Sequence, residues 1–263
     1  MMELFRYIPG AGPLLVNFPH SGTFVPEIIA GRMTKEGLAA PDADIYLERL
    51  YVFLRTLKIP HLYATHSRYV VDLNRPPDDS RLYRGTFGTG LFPDMTFRGQ
   101  AIYKKDEEFK ETERKARMDV YYRPYHNRLK EELEKIKEKF GYYLLWDAHS
   151  IKSEVPSLFE GRLPDYNFGT NNKAACNLNM ERPFKSLLYH LGEGNVVFDQ
   201  RFIGGYITRH YGKSKEKRYA LQLELSQKTY MDELTGEYSP EKSVLTMALL
   251  HQLITTYQKT IIM

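Results

Sequence analysis

Apolar positions along the chain switch between short continuous runs and helical spacing. Leu14 to Phe18, in "GPLLVNFPHSG", is a compact apolar run that predicts a buried strand followed by a loop. Ile45, Leu47, Leu50, Phe53, Leu54 and Leu57 recur close to the helical period and predict a helix across "DADIYLERLYVFLRTLK". "HLYATHSRYVVDLNRPP" carries two short strand signals, cut off by Pro76-Pro77. Residues 78–103, rich in Gly, Pro and aromatic side chains, show no period and are expected to form a structured loop. A helix is expected over 106–140, burying Tyr122, Tyr125, Leu129, Leu133, Ile136 and Phe140, with Pro124 breaking or kinking it. A strand at 142–147, a helix at 172–191, a short strand at 196–198 and an alternating strand at 218–225 follow. Ser239-Pro240 reads as an N-cap with proline at the first helical position, ahead of an apolar face of Leu245, Leu249 and Leu253. Strands separated by helices predict the α/β class: a mixed sheet flanked by helices on both faces.

Composition narrows the class. A chain of 263 residues with no Gly/Ser/Pro linker and no repeat is read as a single domain over 1–263. With 42% hydrophobic and 27% charged residues it is expected to be a soluble globular protein. No apolar run approaches the roughly 20 residues needed to span a bilayer. The start "MMELFRYIPGAG" lacks the pattern of a signal peptide, so a cytoplasmic location is expected. One cysteine excludes an internal disulfide and a cysteine-built metal site. A net charge of +4 from interleaved acids and bases, as in "KKDEEFKETERKARMD", offers no basic stripe for nucleic acid.

Polar residues then cluster at the ends of the strand signals: His20 in "NFPHSG"; Asp72, Asn74 and Arg75 in "VVDLNR"; Asp147 and His149 in "LLWDAHS"; Glu224 in "ALQLELS". In open α/β sheets ligands collect at the carboxyl ends of strands, so these endings could share one crevice. Asp147 and His149 are two apart, so both side chains leave the same face of an extended chain. Two histidines, a carboxylate and an open position make a catalytic zinc site, and an aspartate can instead brace a ligand histidine. Read singly, each residue has a structural explanation: a packed histidine, a capping aspartate, an Arg75–Asp72 ion pair, a glutamate on the polar face of an edge strand. His61, His66, His126, His190 and His251 lack comparable context and are read as structural or exposed.

The residues that carry these endings also carry a resemblance. "PHSGTFVPE" (19–27), "PDADIYLERLY" (41–51), "SRYVVDLNRPPDD" (67–79), "LWDAHSIKSEVPSLFEGRLPDYNFGT" (145–170) and "GGYITRHYGKSKEKRYALQLELSQKTYMDE" (204–233) resemble the N-formylglutamate amidohydrolase (deformylase) family. That family is similar in fold to zinc-dependent exopeptidases of the carboxypeptidase and aspartoacylase kind. The resemblance implies hydrolysis of N-formyl-L-glutamate to formate and L-glutamate, late in histidine degradation, with Zn2+ as cofactor. It implies His20 and His149 as metal ligands and Glu224 as general base. The related exopeptidases take a ligand pair from H-x-x-E, but Thr23 stands three after His20. Asp44 is therefore the first choice for the third ligand, ahead of Asp42 and Asp147, with Asp147 otherwise bracing a ligand. A dianionic substrate calls for arginine. Arg75 with Asn74, and Arg209, are expected to hold its carboxylates, with Arg68 or Arg81 assisting. The alternatives are a hydrolase of another N-acyl amino acid, or a metal-free binder of acidic amino acids. Manganese, iron or cobalt could replace zinc.

Overall fold

The computed structural model describes residues 2–81, 88–107, 110–192 and 194–260. Residues 82–87 of the expected loop and 108–109 of the expected long helix lie outside the described residues. The strands are β1 (Phe5–Ile8), β2 (Leu14–Phe18), β3 (His61–Ala64), β4 (Tyr143–Ile151), β5 (Tyr166–Gly169), β6 (Val196–Phe198) and β7 (Arg218–Ser226). They form one mixed sheet in the order β1-β3-β2-β4-β7-β5-β6. Its centre, β3-β2-β4-β7, is parallel; β1 joins β3 and β5 joins β7 in antiparallel fashion. Central parallel strands are covered on both faces, which is why β2 and β4 are buried throughout and are mostly apolar up to the polar residues near their carboxyl ends.

Alternation sorts the side chains. Leu14, Val16 and Phe18, Leu144 and Trp146, and Leu221, Leu223 and Leu225 pack with Phe184 and with Leu249, Leu250, Leu253 and Tyr257 of the helix Pro240–Lys259. Leu15, Leu145 and Ala220 pack on the other face, against Tyr125, Leu129, Leu133 and Ile136 of the long helix. Helices thus cover both faces, as expected. Ser239 does cap its helix, its side chain accepting from the Lys242 N–H. Leu245 is not part of the apolar face: it is 50% exposed, while Leu249, Leu250, Leu253 and Ile254 make the contact.

Four expectations change. The helix across 42–58 is two short turns, Leu47–Leu50 and Phe53–Thr56, the first beginning only after Tyr46, which takes a left-handed φ of 66°. The helix at 172–191 shrinks to Glu181–Leu187 plus a short turn, since Asn171, Asn172 and Lys173 all have positive φ. The long helix starts at Glu111 and runs through Pro124 to Phe140 without a break. A π-helical turn, Met118–Tyr122, absorbs the proline, with the Arg123 N–H donating five residues back to the Met118 carbonyl. Phe140, at its end, is exposed rather than part of the stripe. Finally, the second strand signal, around Tyr69 to Leu73, is buried but belongs to no strand. β1, β5 and the helix Tyr206–Tyr211 were not foreseen, being only four to six residues long.

Candidate active site and metal centre

Sheet register builds the site. On the long-helix face, Asn17 of β2 lies beside Asp147 of β4, and Asp147 beside Gln222 of β7. The next same-face row pairs His149 with Glu224. Asp147 and Glu224 therefore lie within their strands, as the expected spans 142–147 and 218–225 had them, while His149 lies inside a β4 that runs on past the expected end at 147. His20 follows β2 by two residues, and the Asp44 N–H donates to its carbonyl at 2.9 Å, which ties the 41–44 turn to the strand end.

The donor atoms of His20, Asp44 and His149 all lie within 4.8 Å of one another, and all three residues are buried. Nδ1 of His149 is 3.1 Å from Asp44 Oδ2, and Nδ1 of His20 is 3.9 Å from the same oxygen. Each imidazole is backed on its other nitrogen. Asp72 Oδ1 is 2.8 Å from His20 Nε2, and Asp147 Oδ2 is 3.3 Å from His149 Nε2. Such a carboxylate fixes the ring's tautomer and orientation. Asp72 in turn accepts from Arg68 Nη2 at 2.6 Å and from the Asn74 N–H at 2.8 Å. Asp147 accepts from Asn17 Nδ2 at 2.9 Å and Thr208 Oγ1 at 3.2 Å. Two imidazoles and a carboxylate converging with their supports in place could hold a divalent metal ion.

Burial sets the protonation pattern. It pushes the Glu224 carboxyl up to about 8, helped by nearby Asp44 and Asp147 and opposed by His149 and Arg68. Burial and the Arg68 charge lower His20. For His149 burial acts downward, but Asp147 and Asp44 outweigh it and raise the imidazole well above its ordinary value. Asp72 is also desolvated, yet Arg68, His20 and Arg75 hold it well below the usual carboxylate range.

A cleft of about 630 Å³ opens on this cluster, lined among others by Arg68, Arg75, Arg201, Gln222 and Glu224. Gln222 Nε2 donates to Glu224 Oε2 at 3.2 Å, while its Oε1 accepts from the Gly205 N–H at 2.6 Å. Arg75 lines the cleft and also donates to the Thr89 carbonyl and hydroxyl. Asn74, expected to hold substrate, turns its Nδ2 to His149 Nε2 at 3.0 Å while its Oδ1 accepts from the Ile207 N–H. Arg209 is not among the cleft-lining residues; its Nε is taken by the Gly204 carbonyl at 2.7 Å. Arg201, eight positions earlier, lines the cleft and had not been singled out. Asp42, one alternative ligand, accepts from the Tyr69 hydroxyl and the Phe97 N–H and is outside the donor cluster. Asp72 and Gln222 also escaped assignment, although Asp72 sits in the polar ending "VVDLNR".

A sequence model described as N-formylglutamate amidohydrolase matches residues 12–231. The chain belongs to that family. It is 42% identical to an N-formylglutamate deformylase of Pseudomonas aeruginosa, over 97% of this chain and 96% of that protein. It is 39% identical to an N-formylglutamate deformylase of Pseudomonas putida, over 97% of this chain and 95% of that one. Among solved structures, an N-formylglutamate amidohydrolase from Ralstonia eutropha JMP134 superposes with a TM-score of 0.82 at 25% identity, covering 97% of each chain. A gene product of Agrobacterium tumefaciens, at 15% identity and a TM-score of 0.72, shares the fold over 98% of this chain and 97% of that one. No helix among the described residues is long and apolar enough to cross a membrane.

Proposed function

We propose that this chain is a metal-dependent amidohydrolase that cleaves N-formyl-L-glutamate to formate and L-glutamate, serving the end of a histidine-degradation route. The observation that carries the reading is the buried His20, Asp44, His149 cluster beside the Glu224 carboxyl, in a chain 42% identical to a deformylase. The donor set fits zinc: two imidazoles and one carboxylate, each imidazole braced by an aspartate, leaving room for a further ligand. When bound, the ion would supply Lewis acidity at the formamide carbonyl and make a neighbouring water a better nucleophile.

The chain's own residues do the rest. Glu224 takes a proton from the attacking water as its oxygen bonds to the formyl carbon. It returns that proton to the glutamate nitrogen as the C–N bond breaks, so one carboxyl serves both steps. Gln222 orients Glu224 and is itself fixed by the Gly205 N–H. Arg75 and Arg201 hold the substrate carboxylates. Arg68 assists: its Nε is a buried donor without a partner among the described residues. Arg209 acts through the Gly204 carbonyl, shaping the turn that carries Gly205.

Formate release from N-formyl-L-glutamate, with and without a chelator and alongside metal analysis, tests the proposal. N-formyl-L-aspartate and N-acetyl-L-glutamate serve as competitors. Chelator-sensitive release with preference for the formylglutamate is expected; no release by metal-loaded protein would refute it.

A further inference from the structure

The segment from Tyr69 to Arg75 brings Asp72 to His20 and carries Asn74 and Arg75 into the cleft, yet it joins no strand. Buried backbone carbonyls need donors, and here the sheet supplies none. Side chains supply them instead. Arg117 Nη1 donates to the Val70 carbonyl at 3.1 Å, His126 Nε2 to Leu73 at 2.9 Å, and the Tyr122 hydroxyl to Arg75 at 2.7 Å. All three donors belong to the long helix.

The π turn is what brings them to one face. Arg117 and Tyr122 are five positions apart, which in an uninterrupted α-helix of about 3.6 residues per turn would set them about 140° apart. A turn closed by five-residue hydrogen bonds brings them nearly into line, and Tyr122 to His126 is then an ordinary four-residue step. The turn sits where Pro124 has no N–H to give to the carbonyl of Val120. His126 suits this role because burial pushes it down to about 4, so it is neutral. A carbonyl can only accept, so Nε2 carries the proton, and Nδ1 accepts from the Tyr211 hydroxyl at 2.9 Å.

We infer that Tyr122 and His126 are positioning residues, which set the cleft-lining Arg75 and the His20-bracing Asp72 by gripping the main chain at Arg75 and Leu73. Neither touches the reacting atoms; they stand in for the missing strand partner. The inference rests on the proposed function, its kinetic arm on the formylglutamate reading and its zinc arm on the proposed metal centre.

The test uses Tyr122→Phe, His126→Phe and His126→Gln, the last keeping an N–H donor. Two quantities are read: KM for N-formyl-L-glutamate, and the zinc dissociation constant by chelator competition, which needs no turnover. Tyr122→Phe is expected to raise KM between about twofold and tenfold, the range set by one lost hydrogen bond. His126→Phe is expected to weaken zinc binding by at least about twofold, with His126→Gln restoring most of it. If the unaltered protein releases no formate, the proposed function fails, while the zinc arm still decides this inference. Variants that lose thermal stability but keep KM and zinc affinity within twofold of the parent would overturn it.

Discussion

Replacing Glu224 by Gln removes the proposed base while keeping its shape. The side chain stands on β7, whose backbone is fixed on both sides: His149 is its register partner on β4 and Asn167 on β5. Gln222 Nε2 donates to Glu224 Oε2 at 3.2 Å, and a glutamine oxygen can still accept that bond. The His20, Asp44, His149 cluster is untouched, so zinc content should be unchanged. What is lost is the capacity to hold a proton between its removal from water and its delivery to nitrogen. A positioned general base contributes about 10²–10⁴ in rate. At about 1.36 kcal/mol per tenfold, the barrier should rise by roughly 2.7–5.4 kcal/mol. The assay is steady-state formate release at saturating N-formyl-L-glutamate, with metal content measured on the same preparations. The pH profile adds a second check. A base acts deprotonated, so activity should rise with pH through its pKa. Burial places that pKa at about 8 without a metal, and a bound cation would pull it lower. The acid limb should therefore lie below pH 8 and be absent from the variant's residual activity. A Glu224→Gln protein within tenfold of the parent rate, or one that keeps the acid limb, would refute the assignment.

Asp147→Asn should weaken zinc binding by about 10–100-fold in chelator competition, because the carboxylate 3.3 Å from His149 Nε2 is its brace. Gly205→Ala should cost about 1–3 kcal/mol in urea denaturation, since the new Cβ would overlap the Asn74 side chain, itself tethered to Ile207 and His149. His126 titrates at about 4 when folded against 6.5 ordinarily, so its neutral state stabilises fully above 6.5 and that contribution is lost as pH falls toward 4. Between pH 7 and 5, His126→Gln should therefore lose about 2 kcal/mol less stability than the parent, read from urea midpoints at the two pH values.

How much of this was legible in the sequence depended on whether a residue's environment lay in its own neighbourhood. β2 and the start of β4 were legible because a central parallel strand is buried on both faces and shows as a local apolar run, and β7 because its apolar residues alternate. The i, i+2 spacing of Asp147 and His149 likewise fixed their common face, whatever the partners. Asp72 was legible only as an ion-pair partner of Arg75, a pair the fold makes at 3.9 Å. Its partner His20 lies 52 residues earlier, and only the packing of the 69–75 segment against the end of β2 joins them. Arg201 and Arg209 were indistinguishable by type, and in the fold each gives its Nε to a main-chain carbonyl, that of Leu158 and that of Gly204; what separates them is that Arg201 lines the cleft and Arg209 does not.

The misread strand around Tyr69 to Leu73 shows where pattern reading fails in principle. Val70, Val71 and Leu73 are buried, and burial is what the apolar pattern reports. The pattern says nothing about which groups take the carbonyls. In a strand a neighbouring main chain would take them, and the segment would be as rigid as the sheet. Here Arg117, Tyr122 and His126 take those of Val70, Arg75 and Leu73, side chains whose alignment depends on one π turn some fifty residues further along the chain. Freed from the sheet, the segment turns on either side of Asp72, the Val70 N–H donating to Ser67 and the Arg75 N–H to Asp72, and Asp72 gives one carboxylate oxygen to His20 and the other to Arg68. A strand in that place would alternate its side chains across two faces and could not present Asp72, Asn74 and Arg75 to one site. The departure from strand structure is thus what the site requires of this segment, and the long helix is what makes it stable.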